Sequence, residues 1–255
     1  RILRASTLQV INDLKVSQIN EPGVIIESIN NNLINYTLTY WIKPWIEINP
    51  SFMKDRIYST IIDNLIYTGI YHIVKDNPSM GVNYELNHID NKKLILSKVE
   101  LLKSLTQNEI EMIAEDLKIV EYKQNEYIIT ESENGQSMFI LIEGLLEVFK
   151  KNNEGANIQV GLLKPGDFFG EMSLLTGETR SASVKTICNS IVYEITKDII
   201  APIIEKRTVL AESFAKVITE RHEINVKKIH DSLVKHKSGF DLVVDKIKSF
   251  FHLKH

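Results

Sequence analysis

The sequence predicts an α+β chain of two folded parts: a small mixed domain, then a β-barrel or sandwich with helices at both ends. Three observations predict it. Residues 6–74 mix helix-type and strand-type patterns, residues 119–195 hold short strand-like runs between turn residues, and helical periodicity flanks those runs on either side. At 255 residues the chain has room for two domains of ordinary size.

In the first part, Leu8, Ile11 and Leu14 suit a helix over 6–19, with Ser6 or Thr7 as its N-cap. Pro22-Gly23 ends it and Val24-Ile25-Ile26 opens a strand. Asn30-Asn31-Asn32 reads as a turn, and Leu33 to Ile42, rich in Ile, Tyr, Thr and Trp, as a second strand. Asn49 and Pro50 suit the N-cap and first position of a helix. Phe52 or Met53, Ile57, Ile61 and Leu65 give that helix its apolar stripe, and Gly69 suits the residue past its end. Ile70 to Val74 is a last strand. This order lacks only a leading strand to make a ferredoxin-like sandwich.

On its Pro22-Gly23-Val24, its strand ending Tyr40-Trp41-Ile42 and its helix closing Thr68-Gly69-Ile70, this part resembles the cytoplasmic αβ region of small-conductance mechanosensitive (MscS-type) channels. The resemblance covers residues 1–75 and its motifs are loose. Residues 76–98 are then expected to be a linker, polar and without apolar period up to about Lys93.

From there the texture changes. Thr106-Gln107-Asn108-Glu109 has the pattern of a capping box, followed by Ile110, Ile113, Ala114 and Leu117 at helical spacing. Strands are expected at 119–122, 127–130, 138–142, 145–149, 158–163, 183–187 and 191–195, a number and spacing that suit a closed barrel or sandwich. Helices return from Lys197.

Composition narrows the function classes. With 44% hydrophobic and 25% charged residues the chain is globular, and a net charge of −3 argues against a general nucleic-acid surface. The single cysteine, Cys188, has no internal disulfide partner and suits a reducing, cytoplasmic compartment. No apolar run reaches the roughly 20 residues of a membrane span, and no secretory signal is seen. The chain opens Arg1-Ile2-Leu3-Arg4 without methionine and reads as a piece of a longer protein. His222-Glu223 lacks the second histidine of a zinc-protease helix, and the remaining histidines have no metal-ligand spacing. No nucleophile–base pair or Walker-type loop stands out. The expectation is no enzyme, no metal and no cofactor.

The special residues gather at 168–184. Lys164-Pro165-Gly166-Asp167 makes a turn, Gly170 precedes a short helix over 171–175, and Arg180 precedes the small-residue strand Ser181-Ala182-Ser183-Val184. Helix-start N–H groups and an arginine fork describe an anion site. Glu171 would repel a phosphate there unless it accepts a hydrogen bond from a hydroxyl beside it, as in a ribonucleotide. From the residues alone, Glu171 as a helix-start acid and Arg180 as a solvated turn residue remain open.

The run F-G-E-M-S-L-L-T-G-E-T-R-S-A-S-V at 169–184 closely resembles the phosphate-binding cassette of cyclic-nucleotide-binding domains. The resemblance implies a jelly-roll β-barrel over 99–225 with flanking helices and a helical tail over 226–255. It also implies that Gly170 and the backbone of Met172, Ser173 and Leu174 donate to the phosphate, that Glu171 takes the ribose 2′-OH, and that Arg180 pairs with a phosphate oxygen. Ser181, followed by Ala182, would add a donor. Ser173 stands where alanine is common and Thr179 where proline is frequent, leaving the turn less rigid. Serine at 181 rather than threonine inclines the ligand to cAMP over cGMP.

Leu210, Phe214, Val217, Arg221 and Ile224 share one helix face, so Arg221 is an arginine on an apolar stripe. It either snorkels from the helix edge or, as the family implies, caps the base as part of a lid. Gly239 to Phe251 reads as an amphipathic helix that packs on the body.

Taken together, the two resemblances imply the cytoplasmic regulatory part of a bacterial cyclic-nucleotide-gated MscS-type channel. That would be a homo-oligomer, a heptamer by family, held at the inner membrane by missing pore helices. The alternative is a cyclic-nucleotide-responsive regulatory domain of a transcription regulator or an enzyme.

Overall fold

A computed structural model describes residues 1–15, 20–30, 33–41, 48–68, 88–152, 154–227 and 239–253, with backbone alone at 30, 33, 88–90 and 222–227. The expected strand at 70–74, the helix stop at Gly69 and the turn residues 31 and 32 lie outside these, as does residue 42 at the end of the expected second strand.

The first part runs α1 (Ile2–Asp13), β1 (Gly23–Asn30), β2 (Leu33–Thr39) and α2 (Pro50–Tyr67). β1 and β2 form an antiparallel hairpin. Asn49 caps α2 as expected, its side chain accepting from Ser51 N at 2.8 Å, with proline in the first turn. Met53, Ile57 and Ile61 of α2 meet Val10 and Ile11 of α1, with Leu38 and Tyr40 packed against them. Phe52, the alternative to Met53, is half exposed.

The first helix corrects the sequence reading. It begins at Ile2, so Ser6 and Thr7 are interior and fully buried. Both hydroxyls find partners: Thr7 Oγ1 donates to Leu3 O one turn back at 2.9 Å, and Ser6 Oγ accepts from Asn64 Nδ2 of α2 at 2.8 Å. A serine or threonine bonded in this way tolerates a helix interior, which defeats a reading based on cap preference. The opposite face of α1 places Ala5 and Leu8 against Leu145 and Cys188, and Arg1 pairs with Glu143 at 2.8 Å.

The later half of the expected linker is also corrected. Residues 88–98 form α3 (His88–Lys98), whose Ile95 and Leu96 are buried in the main core. A 3₁₀ turn at Glu100–Leu102 leads to α4 (Gln107–Asp116). The capping box is present in both directions: Thr106 accepts from Glu109 N, and Glu109 Oε2 accepts from Thr106 N at 2.7 Å.

Eight strands then form two four-stranded antiparallel sheets. One is ordered β3 (Lys118–Tyr122), β10 (Ser190–Thr196), β5 (Ser137–Glu143), β8 (Phe168–Phe169). The other is ordered β4 (Tyr127–Ile129), β9 (Ser183–Thr186), β6 (Leu146–Lys151), β7 (Asn157–Leu163). All seven expected strands appear within a residue or two, and the two-residue β8 is additional.

Alternation along β5 explains its position. Phe139 and Leu141 face the second sheet, where Ile129, Leu146 and Val184, with Val192 from neighbouring β10, complete one core. Met138, Ile140 and Ile142 face the helices, joining Leu174, Ile203, Phe214 and Ile247 in a larger one. A strand covered on both sides has no polar face, and β5 is buried along nearly its whole length.

The helical layer consists of α3, α4, α6 (Lys197–Lys206), α7 (Leu210–Lys227) and α8 (Gly239–Phe250). α8 packs on the body as expected, but through Val244 and Ile247, while Leu242 is 55% exposed. No helix among the described residues is long and apolar enough to cross a membrane.

The capping box sets a test. Thr106→Ala removes the acceptor for Glu109 N and is expected to lower unfolding free energy by about 1 kcal/mol. Urea denaturation reads this, and an unchanged midpoint would mean the box contributes nothing.

Candidate functional site

The turn at 164–167 is stitched to β5 by its backbone. Gly166 N donates to Leu141 O and Leu141 N to Asp167 O, both at 2.9 Å. Asp167 Oδ2 closes the turn by accepting from Lys164 N at 2.9 Å. Burial raises the Asp167 carboxyl above its usual range, against that bond and the charges of Arg221 and Lys164. The chain is thereby delivered to β8, where Phe169 pairs with Phe139 and the two rings stack at 5.2 Å.

Gly170 follows in the left-handed region, φ 78°. A side chain here would be strained, and its Cβ would also fall 2.5 Å from Arg180 Nη1. The helix that starts here, α5 (Glu171–Thr176), has no side-chain cap, so its first N–H groups depend on an outside partner. Leu174 is buried in the main core and Ser173 is 1% exposed. What these two offer a ligand is backbone.

Arg180 is 6% exposed and turned inward. Nη1 donates to Ser137 O at 2.6 Å and to Gly170 O at 2.9 Å, and Nη2 to Ser137 Oγ at 3.1 Å. The guanidinium lies 5.7 Å from the Phe139 ring centre. Burial lowers its pKa, while Glu171, Glu194 and Glu133 oppose that shift from a distance. Among the described residues none of these carboxylates comes within ion-pair reach. The arrangement is a buried cation whose hydrogen-bond partners are all neutral, beside uncapped N–H groups. Such an arrangement suits an anion.

Arg221 arrives from α7. Nη1 donates to Phe168 O at 2.7 Å, lies 3.8 Å from Glu171 Oε1, and the guanidinium sits 4.3 Å over the Phe168 ring. It is partly buried, so the apolar-face position read from the sequence is real, and its partners belong to the cassette. Side chains of 222–224 lie outside the described residues. A cleft of about 410 Å³ opens beside Phe168, lined by Lys98, Lys103, Asp167, Val217 and Arg221 among others.

The structure therefore brings Gly170, Glu171, Arg180 and Arg221 together, with the Met172–Leu174 backbone alongside. Ser181 is exposed and Ala182 buried. Sequence reasoning missed Ser137 and Phe139, which meet Arg180 only in the folded chain and carry no local signature.

Residues 119–207 match the family model described as "Cyclic nucleotide-binding domain". The match contains the whole cassette and ends before Arg221. Curated relatives agree. The chain is 32% identical over 117 residues to a cGMP-dependent protein kinase of Plasmodium berghei, covering 46% of this chain and 13% of that protein. It is 38% identical over 89 residues to a cAMP-dependent protein kinase regulatory subunit of Mycosarcoma maydis, covering 35% and 17%. The chain thus spans less than a fifth of either relative. Among solved structures, the regulatory domain of Toxoplasma gondii PKA with cAMP aligns at TM-score 0.46 and 23% identity, over 50% of this chain and 48% of that one. These relatives are kinases and kinase regulatory subunits, and none of them shows the expected attachment to an MscS-type channel.

The cassette is gripped from outside as well. Gly177, at φ 73°, ends α5 under the Phe250 ring of α8, and a Cβ there would come 2.5 Å from that ring. Lys246 of α8 pairs with Glu178. Lys197 Nζ lies 3.5 Å from the Phe250 ring centre and donates to Phe250 O at 3.3 Å. Gly177→Ala is expected to lower stability by about 2 kcal/mol, from left-handed strain and overpacking together. Wild-type stability in urea denaturation would show that α8 does not seat on Gly177.

Proposed function

We propose that the chain is a regulatory module that binds a cyclic nucleoside monophosphate, with cAMP as its ligand, and has no catalytic activity of its own. The observation that carries this is Arg180: a buried guanidinium held by neutral acceptors, with Glu171 placed beside the helix start. A cyclic phosphate supplies the missing negative charge, and its adjacent ribose 2′-OH supplies a donor for Glu171. Arg221, bonded to Phe168 O and close to Glu171, links the cassette to α7, so ligand contact with Glu171 is felt by that helix.

The match over 119–207 and the kinase relatives support a cyclic-nucleotide-responsive regulatory domain attached to another activity. A second reading, the regulatory part of a homo-oligomeric MscS-type channel in a bacterial inner membrane, rests on the order α1, β1, β2, α2 and on the sequence resemblance of that segment. Two or three apolar runs of roughly 20 residues upstream of Arg1 would favour the channel. A globular leader would defeat it.

Calorimetric titration with cAMP and cGMP tests the main reading. Arg180→Ala is expected to weaken cAMP binding by roughly 10- to 100-fold, the loss of a charge-assisted hydrogen bond. Equal affinity of the variant and wild type would overturn the site. The relatives' names point to both ligands, and the preference for cAMP rests on Ser181. Tenfold tighter binding of cGMP would reverse it.

A further inference from the structure

We propose that Ser137 is the positioning residue that presents Arg180 to the ligand phosphate, and that Gly135 makes room for it to do so. This rests on the reading of the cassette as a cyclic-phosphate site.

Ser137 and Phe139 share one side of β5 by alternation, and Gly135, just before the strand, also faces Arg180. Each meets Arg180 differently. At Gly135 a Cβ would lie 2.4 Å from Nε and 2.5 Å from both Cζ and Nη2. Those are distances no side chain can occupy, so the guanidinium lies against bare backbone. Ser137, 9% exposed, supplies two acceptors, its carbonyl to Nη1 and its hydroxyl to Nη2. Phe139 sets its ring 5.7 Å from the guanidinium carbon. Gly170 O, carried in by the pairing of β8 with β5, holds Nη1 a second time.

The chemistry of the acceptors decides the role. Carbonyl and hydroxyl oxygens fix the plane of a guanidinium without cancelling its charge, whereas a carboxylate would do both. Nε makes no hydrogen bond among the described residues, so donor capacity remains for a ligand oxygen. Ser137 acts through Arg180: it holds the fork in one orientation and leaves the positive charge for the phosphate. The sequence shows no trace of this, because a serine opening a strand is unremarkable.

An isosteric pair separates this from a packing role. Ser137→Asn and Ser137→Asp introduce side chains of nearly equal size, one neutral and one charged. Their affinities are measured for cAMP and for adenosine, which lacks the phosphate, by displacement of a fluorescent cAMP analogue from the full chain. Ser137→Asp is expected to bind cAMP at least tenfold more weakly than Ser137→Asn, with adenosine unchanged between them. Ser137→Ala is expected to lose about tenfold for cAMP and Ser137→Thr, which keeps the hydroxyl, to restore it. Equal cAMP affinity for the Asn and Asp variants overturns the proposal, as does a parallel loss for cAMP and adenosine. A wild-type chain that binds no cyclic nucleotide overturns the underlying site reading, and this role with it.

Discussion

A charged guanidinium taken out of water is expensive to keep, and the architecture around Arg180 follows from meeting that cost without a carboxylate partner. Three neutral acceptor contacts, an aromatic ring and a glycine on either side accommodate it. Those groups come from β5 and from the β8–α5 junction, so the sheet register is what assembles them. Slipping β8 by one residue against β5 would turn Phe169 away from Phe139 and move Gly170 out of reach of Arg180. The small two-residue strand therefore matters out of proportion to its length.

β5 can fix the site because it is itself fixed from two sides. One face closes the inter-sheet core and the other is roofed by helices whose Ile203, Phe214 and Ile247 are buried against it. The first segment joins this body through Ala5 and Leu8 on Leu145 and Cys188, and through Tyr67 at the end of α2. Tyr67 sets its ring 3.3 Å from where a Gly166 side chain would begin. Burial, with Tyr193 and Asp167 nearby, raises its phenol pKa. The turn at 164–167 is thus backed by the N-terminal segment as well as by its own sheet.

Much of this was legible in the sequence wherever the signal is local. The capping box at Thr106, the proline start of α2 and the seven strands each depend on neighbours a few residues away, and each was read correctly. The closeness of Gly170, Glu171 and Arg180 was legible because they sit within one short loop. What escaped is what tertiary structure decides. Ser6 and Thr7 look like caps until Asn64 of α2 and Leu3 of their own helix are seen to bond them. Residues 88–98 look like linker because their polar face outnumbers the few apolar residues that Ile95 and Leu96 anchor. Arg221 announced itself as misplaced on an apolar face, but nothing in its own helix pointed to Phe168 and Glu171.

A six-residue helix such as α5 is far too short to persist in water by itself, since it hardly repays its own nucleation. Leu174 and Leu175 hold it to the core on one side, while Phe250 covers its end at Gly177 and Tyr67 backs the turn that leads into it. Aromatic rings from α2 and α8 thus pack close to the turn before α5 and to its end. Local opening of the loop must loosen contacts with segments that are remote from it in sequence. In native-state hydrogen exchange such a helix behaves as part of a larger cooperative unit, with a protection that reports on the seating of α2 and α8 as much as on the loop itself.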